Sequence, residues 1–468
     1  MTPLYGLMIL FYSFLAALGS VSVFSQVVVN DVTQLNPVVV DQVIVPTTIE
    51  EIQQAVKTYP GPISIGGGRY SMGGQTAVDQ GLQIDMRSFK RILAIDLQNK
   101  KITVQTGIRW RDIQDVIDPL NLSIKIMQTY ANFTVGGSLG VNVHGRYIGQ
   151  GPLIRSVDSI KVVLADGSLV MASPTENSPI FYAAIGGYGG IGVVVEATLQ
   201  LVDNVKVERA VERVAAKDYY RYFMDRIRDN PKVVFHNGDL YAPKFDVVNA
   251  VSWNETDKPV TIQERLIPRN QKYWFQPRAV HVLNNIPYGR ELRASVIDPW
   301  IMRKEVVCWR NHEASYDVAE LEPPSRDRYS FVLQEYFVPV ARFDEFVPKM
   351  RDVFLKHKVR VFNVSIRHAL PDPGSMLAWA PEEVFAFVVY YEQRTTDQAK
   401  KEVAVWTREM IDQVISVGGR YYLPYQIHAT DEQIRNAYPR FEDFSELKKK
   451  LDPENRFRNR LWDRYFRI

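Results

Sequence analysis

The chain has 468 residues, 46% of them hydrophobic and 23% charged, a globular composition long enough for two domains. Its formal net charge of +3 is too close to balance to suggest a nucleic-acid partner. The single cysteine, Cys308, excludes an internal disulfide framework and a cysteine-based metal site, and no metal is expected.

Leu4 to Phe24 is uncharged and almost wholly apolar. A run of roughly 20 such residues can span a bilayer as a helix. Val23-Phe24-Ser25 before Gln26 is also an acceptable cleavage site. No Lys or Arg precedes the run, so orientation stays open. Residues 1–30 are therefore expected to be an export signal or a membrane anchor, with the chain exported or membrane-anchored through residues 4–24. No later segment is long and apolar enough to span.

Val43-Ile44-Val45 is expected as a short strand. The helix after it opens on a capping box, Thr48 with Glu51, and ends before Pro60-Gly61. Ile63 to Ile65 is a short apolar run that suits a buried strand. It leads directly into Gly66, Gly67, Gly68, Arg69, Tyr70 and Ser71. Three glycines after a strand free the backbone to turn successive N–H groups into one concavity, which suits phosphate oxygens. No Gly-Lys-Ser/Thr follows, so this is not a P-loop. No helix follows either, which excludes a dinucleotide fingerprint of the strand–helix kind; Leu82 to Met86 is another expected strand. A plain turn between strands remains the alternative for this stretch alone.

Strands are expected at Ile92–Ile95 and Ile102–Gln105, and a helix over Arg109–Ile117. A second small-residue stretch is Thr134, Val135, Gly136, Gly137 and Ser138, followed by Asn142, His144, Gly145 and Arg146. Paired glycines there let the backbone approach a flat ligand closely. Ile160–Leu164 and Leu169–Met171 form an expected hairpin around Asp166-Gly167. Gly186, Gly187, Gly189, Gly190 and Gly192 then crowd one short stretch before a strand that starts near Val193. Close approach to a ligand or a tight corner would explain them. Beyond residue 205 strands alternate with amphipathic helices: strands near Val233–Tyr241, Val247–Trp253, Tyr329–Val338, Val359–Arg367 and Val384–Tyr391, and helices over Tyr219–Arg228, Phe343–His357 and Asp397–Val417. This is an α+β arrangement with a mainly antiparallel sheet.

Three glycine loops in this order and at these separations resemble the FAD-binding domain of the vanillyl-alcohol oxidase (p-cresol methylhydroxylase-type) flavoproteins. The aldonolactone, alditol and decaprenylphosphoryl-ribose oxidases are the most similar subgroup. The C-terminal stretch from Ala437 to Phe457 resembles the family's closing pattern. The resemblance implies a two-subdomain FAD-binding domain over 36–205, a substrate cap over 206–417 and a return to the FAD domain over 418–468. It implies FAD held by Gly66 to Ser71 at the pyrophosphate and by Thr134, Val135, Gly136, Gly137 and Ser138 along pyrophosphate and flavin. Asn142, His144 and Gly145 would stand by the flavin, and Gly187, Gly192 and Val193 at the adenosine end.

Three departures accompany the resemblance. Many related oxidases carry a histidine bonded covalently to the flavin where this chain has Tyr70, so non-covalent FAD is expected. Their C-terminal His-Trp-x-Lys is replaced: after Gly418-Gly419-Arg420, Tyr422 and Tyr425 stand where the histidine and lysine would. The Glu-x-Arg that meets the polyol in alditol oxidases is Ser365-Ile366-Arg367 here. Tyr425 is the first candidate for the substrate's hydroxyl proton, and would need a cation such as Arg420 or Arg367 to lower a phenol pKa of about 10. Gln334 and Tyr336 share one face of a strand and line the pocket if that face looks at the flavin; otherwise Glu335 does.

The expected activity is FAD-dependent oxidation of a hydroxyl on a sugar, an aldonolactone or a related alcohol, with electrons passed to oxygen or another acceptor. Two other readings stay open at this point: an oxidase of a lipid-linked sugar, and a flavin-carrying accessory protein without catalysis. Membrane association would run through the N-terminal segment. The basic C-terminal tail is a solvated helix face or a contact for anionic lipid.

Overall fold

The computed structural model describes residues 27–269, 271, 276–286, 288–320, 322, 323 and 325–466. The apolar run 4–24 lies outside these described residues, among which no helix is long and apolar enough to cross a membrane.

A ribbon of β1 (Val27–Val29) and β2 (Val38–Val40) precedes a three-stranded parallel sheet. That sheet is built from β3 (Gln42–Ile44), β4 (Ile63–Gly66) and β5 (Leu82–Asp85) in the order β3-β5-β4, with α1 (Ile49–Thr58) between β3 and β4. The capping box forms as expected: Thr48 Oγ1 accepts from the Glu51 amide at 3.2 Å and the Glu51 carboxylate accepts from the Thr48 amide at 3.3 Å. Helix α1 buries Ile52 and Val56 against Ile63, Leu82 and Ile84. A parallel β4–β5 pair needs a crossover, and the chain makes it with the glycine loop and residues up to Gly81, without a helix.

The second lobe holds β6 (Ile92–Asp96), β7 (Lys101–Gln105), α2 (Trp110–Ile117), β8 (Leu122–Ile124), α3 (Val135–Val141), β9 (Val157–Val163), β10 (Leu169–Ala172), α4 (Ser178–Ala184) and β11 (Val193–Asp203). Its antiparallel sheet runs β10-β9-β11-β7-β6, with β8 beside the end of β11. Gly167 takes φ +77° in the Asp-Gly turn that joins β9 to β10. Along β11 buried and half-buried residues alternate strictly, the signature of a strand with one face on a core.

The cap is one antiparallel sheet. It contains β12 (Lys206–Ala215), β13 (Val233–Leu240), β14 (Val247–Glu255), β15 (Val307–Trp309), β16 (Tyr329–Pro339), β17 (Val361–Ala369), β18 (Val384–Arg394) and β19 (Arg420–Tyr421), ordered β15-β12-β14-β13-β17-β18-β16-β19. Helices α5 (Ala216–Arg226), α6 (Phe343–Lys356) and α7 (Asp397–Ser416) pack on one face. Phe343 and Phe346 meet Phe385 and Phe387 there. The other face is left for the cofactor lobes. Between β14 and β15, where the sequence suggested no element, helices form from Gln276 to Met302.

The chain then returns to the cofactor lobes through α8 (Asp431–Ala437), α9 (Phe441–Leu451) and α10 (Arg460–Tyr465). Lys448 is fully buried on α9: its ammonium donates to Asp452 at 2.8 Å and to the carbonyls of Gly190 and Phe457 at 2.9 Å each. A buried charge survives only when paired and hydrogen-bonded, so this contact pins the last helices to the third glycine loop. Phe457 lies beside Ile63 and joins the core beneath the parallel sheet.

Candidate active site

The glycine loops and the free face of the cap enclose a cleft with about 1450 Å³ of empty space, its open mouth included. The cleft runs past all three glycine loops, which suits an extended ligand. Gly67 through Ser71 line it, with Thr134, Gly136, Gly137 and Gly140 from the second loop and Gly189 and Gly192 from the third.

The first loop supplies the anion-binding part. Among the described residues, the amides of Gly68, Arg69, Tyr70 and Ser71 donate to no protein acceptor. Arg69 takes φ +62° and its buried Nε is likewise unpartnered, while its Nη2 lies 3.2 Å from Asp85. Four successive free amides beside a buried guanidinium NH fit a pyrophosphate. No side chain stands in the way. A Cβ on Gly67 would lie 2.3 Å from Thr134 Oγ1, and one on Gly68 2.8 Å from the Tyr70 ring. Gly66 closes β4, where a Cβ would meet the Gln83 amide, so it shapes the turn and does not line the cleft.

The second loop works differently. Its amides are already used: Gly136 donates to the Thr106 carbonyl at 2.7 Å and Gly137 to Thr134 Oγ1 at 3.3 Å. Thr134 is the N-cap of α3. Glycine is needed here because the wall must be bare, and not for its donors. Val135 is buried in the core, and Ser138 turns its hydroxyl to Gln128 and the Trp110 indole. Asn142 ends α3 with φ +50° and bonds Asp372, Ser375 and the Ile154 amide, so it braces the wall from behind. A Cβ on Gly145 would strike the Met127 carbonyl at 2.3 Å, which makes that glycine a packing requirement. In the third loop Gly192 lines the cleft, Val193 is buried under the parallel sheet, and Gly187 packs against Ala183 and Phe444.

On the cap side the strand period decides which residues face the cleft. Leu333 and Glu335 of β16 point in. Gln334 and Tyr336, expected there, point to the helical face: the Gln334 amide donates to Thr407 of α7 at 2.9 Å and to Tyr391 at 3.1 Å, and the Tyr336 hydroxyl donates to Gln334. The pocket expectation for Gln334 and Tyr336 is thus corrected in favour of Glu335.

Glu335 is buried, with a carboxylate oxygen 3.1 Å from His144 Nε2; His144 Nδ1 faces the Gly145 carbonyl at 3.2 Å. Burial pushes the Glu335 carboxyl up, but His144, Arg367 and a hydrogen bond from Tyr425 outweigh it and hold the group below its ordinary range. It is a carboxylate at neutral pH. Arg367 enters the cleft from β17 with its buried Nε unpartnered. Burial and the adjacent Glu335 charge push the Tyr425 phenol well above its ordinary value, the opposite of the lowering that a base at this position would need. Arg420, one of the cations suggested for Tyr425, donates to the Ala378 carbonyl instead. Tyr422 also lines the cleft, but its hydroxyl is spent on the Val141 carbonyl at 2.7 Å. Gln128, Thr106 and Tyr188 line the cleft as well; no local pattern in the sequence marks them.

A trench walled by bare backbone, ending in a ring of one carboxylate, one guanidinium and two phenols, defines a two-lobed FAD-dependent oxidoreductase. Comparisons agree. An FAD-binding domain profile matches residues 40–173, and the profile of the D-arabinono-1,4-lactone oxidase family matches residues 198–465. The chain belongs to that family. It binds FAD and oxidises a hydroxyl of a sugar, sugar lactone or related alcohol. It is 21% identical to L-gulonolactone oxidase of Bos taurus over 439 residues, covering 90% of this chain and 94% of that protein. It is 28% identical over 179 residues to the mitochondrial L-galactono-1,4-lactone dehydrogenase of Arabidopsis thaliana, covering 37% and 28%. Cytokinin dehydrogenase 3 of the same plant is 23% identical over 457 residues, covering 88% and 83%.

Proposed function

We propose that the chain oxidises an aldono-1,4-lactone at a ring CH–OH, with Glu335 as the proton acceptor, and passes the electrons to oxygen or another small acceptor. The observation that carries this reading is the Glu335 carboxylate at the cap wall of the cleft, the one acid among the described lining residues, together with Arg367, whose buried Nε has no partner.

Bound FAD supplies the acceptor for the hydride that leaves the substrate carbon. The protein supplies the rest. Glu335 accepts the hydroxyl proton as the C–H bond breaks, which leaves a carbonyl on the substrate. Arg367 donates to the lactone carbonyl or a ring hydroxyl and orients the ring. Tyr425 and His144 donate to Glu335 and keep its carboxylate aimed into the cleft.

The cap sheet explains how this works without the glutamate of Glu-x-Arg. Ser365 pairs with Val388 on β18, and Val388 pairs with Glu335 on β16. Glu335 thus stands in the same cross-strand row as Ser365, two strands away, about 10 Å. The carboxylate comes from the next strand but one, on the same face.

FAD is held without a covalent bond in this reading. Burial, with Glu322 nearby, pushes the Tyr70 phenol up to about 12, so it is neutral at physiological pH, and its ring packs 4.5 Å from Phe133. The uncharged run Leu4–Phe24 supports export or membrane anchoring of the protein.

The test is anaerobic mixing of the yellow protein with D-arabinono-, L-gulono- and L-galactono-1,4-lactone, followed by acid precipitation. Bleaching of the flavin by at least one lactone, and release of flavin into the supernatant, are expected. A flavin that no lactone bleaches sinks the substrate class; a flavin that stays in the pellet sinks the non-covalent assignment.

A further inference from the structure

The helical segment between β14 and β15 is built inside out. Its polar side chains hold it to the body of the cap. Asp298 accepts from the Tyr241 hydroxyl at 2.7 Å and pairs with Arg293 at 3.2 Å. His281 stacks on Tyr329 with centroids 4.4 Å apart and bonds Glu392 at 2.9 Å. Asn285 accepts from Arg360 at 2.6 Å.

Most of its large apolar side chains face outward, Met302 excepted. Tyr288 is 81% exposed, Leu292 45%, Val296 56% and Trp300 71%. These four recur every fourth residue, the spacing of one helix face. Between Arg293 and Ile297 the helix widens to a π turn, which keeps residues four or five apart nearly in line. Val282 of the preceding helix and Ile286 just past its end are also four apart and exposed, and Ile301 flanks Trp300. Single exposed apolar residues are ordinary, but a periodic stripe of them marks an interaction surface.

We propose that this stripe is a docking surface for an anionic lipid bilayer, and that the cap rests on a membrane through it. Three observations select lipid as the occupant. The stripe begins on Tyr288 and ends on Trp300, aromatic residues with one polar atom each, which favour the headgroup level. Arg290, Arg303 and Lys304 flank it, with Arg303 and Lys304 exposed; of the acids beside it, Glu305 is paired with Lys258 at 3.1 Å, Glu291 is half-buried, and Asp298 is turned inward onto Tyr241. An apolar face rimmed by basic residues is complementary to a negatively charged leaflet. The sequence also carries the uncharged run Leu4–Phe24, and stable membrane attachment generally needs two such signals.

The experiment uses the full-length FAD-loaded protein, so that any contribution of residues 4–24 is present in every sample. Cys308 is buried and will not label, so Val296→Cys places a single reactive thiol on the stripe for an environment-sensitive nitrobenzoxadiazole dye. Leu97→Cys, at an exposed position of the cofactor lobe, is the control. Neither residue touches the cleft, and lactone turnover of both variants should match the parent. With vesicles of three parts phosphatidylcholine to one part phosphatidylserine, the dye at 296 should brighten several-fold and shift to the blue. The dye at 97 should not change, and high salt should reverse part of the effect. Equal change at both positions, or none at 296, overturns the proposal. An equal response to phosphatidylcholine alone overturns the anionic requirement. Brightening without vesicles as protein concentration rises means that a second copy of the chain covers the stripe, and this also overturns it.

Discussion

The two walls of the cleft are made of different material. The cofactor wall is backbone: glycines, free amides, and side chains removed where a ligand must come close. The substrate wall is side chain: Glu335, Arg367, Tyr422 and Tyr425 project from the cap sheet and the crossover after it. A backbone wall tolerates no addition, because a single Cβ on Gly67 already overlaps the hydroxyl that caps α3. A side-chain wall is tuned by identity and charge. The lesson is that flavin binding and substrate chemistry can be broken separately in this protein.

The largest expected effect falls on the cofactor wall. Gly67→Val forces Thr134 Oγ1 away from the Gly137 amide it accepts from, disturbing a cap worth about 0.5–2 kcal/mol, and blocks the trench besides. The variant should purify nearly colourless, with FAD affinity down by about tenfold or more. A fully yellow Gly67→Val protein would remove the claim that bare backbone is required there.

Glu335→Gln should do the opposite. Its flavin spectrum should be that of the parent, while kcat falls by about 10²- to 10⁴-fold, the usual contribution of a positioned acid or base. Tyr425→Phe should lose far less, since it removes a donor to the base and not the base itself. Comparable losses in the two variants, measured by stopped-flow bleaching, would return Tyr425 to the role of base.

Next in size is the pH response. The parent should keep its activity as pH falls until below 4.5, the ordinary glutamate value, because Glu335 is held under it. Arg367→Ala removes a charge that favours the ionised form, so the carboxyl pKa rises and the acid limb of kcat/KM should move to higher pH. An acid limb that stays in place shows that the limb belongs to another group.

The smallest effect belongs to the far side of β16. Tyr336→Phe leaves the Gln334 oxygen without its donor on the helical face, a cost of about 1–3 kcal/mol that thermal unfolding should detect. Lactone turnover at low temperature should be unchanged. Any clear loss of kcat in this variant would contradict the strand orientation.

Much of the cofactor wall was legible in the residues. Gly67 and Gly68 follow an apolar strand and line the cleft, and the amides of residues 68–71 find no protein acceptor among the described residues. Yet not every residue of a matching stretch lines the trench. Ser138 supports it from the buried side of a seven-residue helix, Asn142 from its C-cap, and Gly145 from the packed turn beyond. The helices between Gln276 and Met302 were not anticipated, since most of their large apolar residues are exposed and so give no burial pattern with the usual meaning. On β16 the alternation was clear, but either of its faces could have met the flavin.

The order of elements, the capping box, the Asp-Gly hairpin and the glycine loops are local, and short-range sterics and periodicity determine them from the amino-acid sequence alone. Which face of β16 meets the flavin is not local. It depends on α7 covering Gln334, on β18 lying between β16 and β17, and on His144 arriving from a distant lobe to meet Glu335. A one-residue choice of face exchanges an amide and a phenol for a carboxylate. Only tertiary packing, which buries one face under helices and leaves the other over the cleft, made that choice.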